Sequence, residues 1–82
     1  MQFTLDQLRP GARAVVVTVS GDGALTQRLT EMGLVGGAEV AMIRTAPLGD
    51  PLEIWLDGYH LSLRQREARL VTIAPQPAGD EG

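Results

Sequence analysis

Eighty-two residues with a formal net charge of −3, no cysteine and no lysine leave room for one domain and exclude several chemistries. Without cysteine there is no disulfide, thiolate zinc site, iron–sulfur ligation or cysteine nucleophile. Without lysine there is no phosphate-loop lysine and no Schiff base, and the near-neutral charge offers no strong field to draw nucleic acid.

Taken in chain order, Thr4 is placed to cap a single helical turn that shows Leu5 and Leu8 on one side. Pro10-Gly11 then turns the chain into a β-branched run, Arg13 to Val19. Alternation there predicts a strand with Val15, Val17 and Val19 on its apolar face. Asp22 is the expected N-cap of a helix over Gly23 to Met32, whose Leu25, Leu29 and Met32 recur at helical spacing. Gly33 sits where a left-handed residue closes a helix, and Gly36-Gly37 predicts a turn. Glu39 to Thr45 reads as a strand with apolar residues on both faces.

Ala46-Pro47-Leu48-Gly49-Asp50-Pro51 follows. Pro47 and Pro51 fix their own φ, and Gly49 is free to turn left-handed, so the segment reads as one stiff loop with Leu48 near its tip. An apolar side chain held in this way loses little entropy on docking, which suits a binding surface. Leu52, Ile54 and Leu56 then alternate with Glu53, Trp55 and Asp57, putting Trp55 on an outer strand face. Asp57-Gly58 is a type I′ hairpin signal before a strand with Tyr59, Leu61 and Leu63 on one side and His60 and Ser62 on the other. A short helical turn within Ser62 to Ala68 and a last strand with Val71 and Ile73 complete a domain over 1–74. The segment 75–82, acidic at Asp80 and Glu81, is expected to be disordered. Five short strands and one helix predict a mainly β fold, a closed or nearly closed small barrel without the exposed edges of an open sheet.

Four patterns stand in one order: Gly21-Asp22-Gly23, Arg28-Leu29-Thr30-Glu31-Met32-Gly33-Leu34, the loop 46–51, and Leu61-Ser62-Leu63-Arg64-Gln65-Arg66-Glu67-Ala68. Over about Leu5 to Ile73 the chain resembles the FeoA family of small bacterial ferrous-iron-transport proteins. It departs from the family pattern at Gly36-Gly37, where proline usually precedes the second glycine. The resemblance implies a five-stranded SH3-like β-barrel with one helix inserted after the first strand. It also implies a cytosolic, non-enzymatic accessory of FeoB, the GTP-dependent membrane transporter. By that match Gly33, Gly37, Pro47, Gly49, Asp50, Pro51 and Glu67 are residues of the structural motif.

The start of the chain lacks a signal-peptide pattern, which places the expected site of action in the cytoplasm, with recruitment to the inner membrane face. No catalytic constellation and no phosphate loop is evident. No cofactor and no dedicated metal site is expected, because the single histidine, His60, has no histidine or cysteine partner. A zinc ion held between His60 and a neighbouring molecule would be adventitious. Four residues are the expected partner-binding set: Leu48, Trp55, Arg64 and Arg28, the last equally suited to fixing the helix on the barrel. Arg64, Arg66 and Arg69 form a basic cluster in which Arg64 or Arg66 is expected to pair locally with Glu67. The alternative readings are a nucleic-acid- or peptide-binding barrel and a GTPase-activating factor acting through an arginine. A second copy of the chain is a further candidate partner.

Overall fold

The computed structural model describes residues 2–76, and the expected acidic tail lies outside them from Pro77 onward. Leu52, Ile54 and Leu56 are all buried, with Glu53 and Trp55 half-exposed between them, so the clearest alternation of the sequence becomes strand β4 (Leu52–Leu56). At its end Asp57 (φ 47°) and Gly58 (φ 98°) are both left-handed, as a type I′ turn requires. The chain returns as β5 (Tyr59–Leu63) in register with β4, Trp55 opposite His60.

β2 (Arg13–Val19) and β3 (Glu39–Thr45) carry the first correction. In β2 the buried residues are Ala14 and Val16, not the expected set Val15, Val17 and Val19. Pairing with β6 (Val71–Pro75) slips between Val16 and Thr18, so one extra residue, Val17, bulges outward. The slip reverses the alternation, and Val19 then packs against the core beside Val71. A second slip, between Met42 and Arg44, leaves Val40 and Met42 buried and pushes Ile43 into solvent. β3 therefore has a single core face.

The sheet has six antiparallel strands in the order β1-β6-β2-β3-β4-β5. The additional strand, β1 (Phe3–Thr4), is only two residues long and pairs with β6. β1 and β5 remain as edges, so the sheet is open where closure was expected. The class is as read from the sequence: mainly β, with one helix, α1 (Ala24–Glu31), following the first long strand. Leu5 is buried at the start of a 3-10 turn, Leu5–Gln7. Gln7 Oε1 accepts the Thr4 backbone N–H at 3.0 Å there.

α1 begins one residue later than expected. Gly23, not Asp22, is its N-cap, and the Thr26 hydroxyl, not the Asp22 carboxylate, ties its start by donating to the Ser20 carbonyl at 2.6 Å. At its other end Gly33 (φ 109°) lets Leu34 N–H reach the Leu29 carbonyl (3.2 Å) and its own N–H reach Thr30 (3.0 Å). These two bonds form a Schellman closure. They bury Leu34 and Leu29 completely, with Leu25 and Met32 packed alongside. Gly37 (φ 94°) occupies the third position of the next turn, closed by Ala38 N–H on the Val35 carbonyl at 3.0 Å. Gly36, where the family places proline, lies tight against the backbone, since a Cβ there would stand 3.1 Å from the Val17 carbonyl oxygen.

Candidate partner-binding site

A single helical turn, α2 (Gln65–Ala68), follows β5 and leaves backbone donors free at its start. Two carboxylates satisfy them. Glu67 Oε1 accepts the Arg64 N–H at 2.8 Å, and Asp50 Oδ1, from the loop before β4, accepts the Gln65 N–H at 2.9 Å. Glu67 has only 4% of its surface exposed, and its second oxygen accepts from Arg28 Nη2 at 3.1 Å. A buried carboxylate would be costly if it lacked donors on either oxygen. Here the donors come from α1 and from the start of α2. Glu67 thus ties α1 to the start of α2.

The sequence expectation placed Arg64 or Arg66 in an ion pair with Glu67. Arg28 takes that position from 39 residues away, and Arg64 contributes its backbone N–H. The strand-to-helix geometry explains the difference, since the N-cap backbone is already on the carboxylate of the third helical residue. Arg69 leaves the cluster: it stands 3.8 Å from Asp6 and donates to Gln65 Oε1 at 3.1 Å.

The loop 46–51 is closed across its base by Ala46 N–H on the Pro51 carbonyl (3.0 Å) and within its turn by Gly49 N–H on the Ala46 carbonyl (2.9 Å). Pro47 takes the second position of that turn and Leu48 the third, at φ 72° and ψ 7°, the geometry of a type II turn. The left-handed residue expected was Gly49, and it is left-handed at φ 84°, but Leu48 is too. A leucine there costs about 1–2 kcal/mol against its preferred backbone. Its side chain, 103% exposed, recovers nothing by burial. Gly49 packs against α2, where a Cβ would lie 3.4 Å from Gln65 Nε2.

Between the loop and α2 lies an open cleft of about 430 Å³. Arg28, Arg64 and Arg66 line it, with Glu67, Ser62 and Pro51. Trp55 is not part of it. It sits half-buried on the outer sheet face, between Ala41 of β3 and His60 of β5. Beside it Glu53 stands 3.6 Å from Arg44 and 3.3 Å from His60. Among the described residues no three His, Cys, Asp or Glu side chains group as metal ligands do.

The family model of the FeoA domain matches residues 3–75. The chain belongs to the FeoA family. A FeoA–FeoB fusion protein of Porphyromonas gingivalis is 36% identical over 69 residues, which is 84% of this chain and 8% of the fusion. The chain therefore spans a small part of that relative. The FeoA protein of Chlorobium tepidum, solved in solution, superposes with a TM-score of 0.84 at 42% identity, covering 98% of this chain and 75% of that one. The FeoA of Stenotrophomonas maltophilia, a prokaryotic SH3 domain protein crystallised with zinc, gives 0.78 at 34% identity, covering 88% of this chain and 89% of that one. The SH3-like fold is the one read from the sequence.

Within this FeoA domain the four expected contact residues divide. Arg28 and Arg64 line one cleft, and Leu48 rises from the loop whose Pro51 forms part of the wall. Trp55 belongs to the neighbouring sheet face. Arg66 and Ser62 were absent from the expected contact set. In the sequence both belonged to the fourth pattern, Arg66 also to the basic cluster and Ser62 to the outward side of a strand, but neither was singled out as a contact. The turn after β5 was expected, but its convergence with Arg28 of α1 and Pro51 of the loop joins elements distant in the chain, which no local pattern marks.

Proposed function

We propose that this chain is a non-enzymatic, cytosolic accessory of bacterial ferrous iron transport, binding the GTP-dependent transporter FeoB and regulating or assembling it through protein contacts. The observation that carries the reading is the Porphyromonas fusion, in which a domain 36% identical to this one shares a polypeptide with the transporter. Covalent linkage implies that the two parts work at close range, and a separate chain must supply the same proximity by binding. Ferrous iron is the transporter's cargo in this reading and not a resident of the domain. No described helix is long and apolar enough to cross a membrane. Leu48, Arg64 and Arg28 are the contact residues favoured, with Trp55 as a flanking anchor.

The test is capture of the purified cytosolic domain of FeoB by this chain, followed by GTP turnover with and without it. Saturable capture with GTP turnover unchanged or modestly altered agrees with docking. A gain of several orders of magnitude that vanishes with Arg64→Ala would instead make the chain a GTPase-activating factor. Absence of capture would remove the reading.

A further inference from the structure

The cleft carries a charge imbalance. Three arginines and one glutamate line it, and both oxygens of Glu67 already accept hydrogen bonds, so two positive charges are in excess. Among the described residues the guanidinium groups of Arg64 and Arg66 make no ion pair and no hydrogen bond. Arg28 commits one N–H donor to Glu67 and keeps its side chain 65% exposed. Each guanidinium presents a planar fork that matches a carboxylate or phosphate.

Two features select among anions. Residues 2–76 carry eight carboxylates against seven arginines, so an extended polyanion such as nucleic acid or an acidic membrane would find no excess of positive charge outside the cleft. A short acidic segment presents its charge only locally. The cleft also has an apolar boundary: Leu63 and Pro51 line it, and the loop that supplies Pro51 holds Leu48 fully in solvent. A bare ion would leave that side chain unused, whereas a peptide brings an apolar residue next to its carboxylate.

The geometry points to this cleft as the docking site for a short acidic peptide segment of the protein partner. Arg28, Arg64 and Arg66 hold its carboxylates, and Leu48 meets an adjoining apolar side chain. The inference deepens the proposed docking function and rests on it for the identity of the partner.

The test is an NMR titration of the 15N-labelled full chain with acetyl-Leu-Glu-Leu-Glu-Leu-amide, with its glutamine counterpart, and with inorganic phosphate. The expected result is saturable shifts of the Arg64, Gln65 and Arg66 amides and of the Arg28 side-chain N–H with the glutamate peptide alone. The exposed double variant Arg64→Gln/Arg66→Gln should keep a dispersed spectrum and bind that peptide more weakly by roughly a hundredfold or more, the loss of one charge-assisted hydrogen bond from each arginine. Equal shifts with the glutamine peptide, no saturation, or saturation of the same amides by phosphate at lower concentration than by peptide would each overturn the inference. If the acidic peptide binds but FeoB is not captured, the proposed function fails and the cleft stands; the reverse result removes the cleft alone.

Discussion

Glu67 and Arg28 share one ion pair in very unequal surroundings. The Glu67 side chain is 6% exposed and the Arg28 side chain 65%. Removing the carboxylate strands the Arg64 N–H at the start of α2 and takes away the partner of Arg28, whereas shortening Arg28 opens Glu67 Oε2 to water. Glu67→Ala should therefore cost about 2 kcal/mol in urea denaturation, and Arg28→Ala less than about 1 kcal/mol. Equal losses would contradict this division. Leu48 is a different case, because its backbone is strained and its side chain touches solvent alone. Leu48→Asn, with a residue that tolerates the left-handed region, should raise stability by up to about 1 kcal/mol on thermal denaturation. A fall in melting temperature would show that φ 72° is not a burden here. Stiffness and exposure at Leu48 were legible from Pro47 and Gly49. That the leucine itself turns left-handed was not, because type II turns usually reserve that position for glycine or asparagine.

Among the elements, the most local signals were read most accurately. Asp57-Gly58 states its own turn, and Leu52, Ile54 and Leu56 state their own face. Gly33 states the end of α1, and Gly33→Ala should destabilise by about 1–2 kcal/mol, since alanine resists φ 109° and its Cβ would stand 3.4 Å from Leu56 Cδ2. A change within about 0.3 kcal/mol would mean that the closure is not needed. β2 was misread because its consecutive valines offer two equally apolar faces, and the bulge at Val17 decides between them only through pairing with β6. β1 escaped notice for a related reason: two residues carry no periodicity, and they form a strand only because β6 is there to pair with. The candidate cleft draws on α1, the loop, β5 and α2, so its assembly was out of reach of any pattern along the chain.

At the scale of the whole molecule, a small open sheet carries two helical elements tied together by a buried glutamate, and a strained apolar tip belongs to the loop whose Pro51 lines an arginine-rich cleft. The arrangement commits little of its charged or apolar surface to its own stability on that side, which is the condition of a docking face. Isothermal titration of the FeoB cytosolic domain with this chain, and with Leu48→Asn in parallel, tests this most directly. Saturable binding of the wild-type chain, weakened about tenfold or more in a variant that is no less stable, is the predicted result. Identical affinity of the two chains would take Leu48 out of the interface, and no binding of either would contradict the account as a whole.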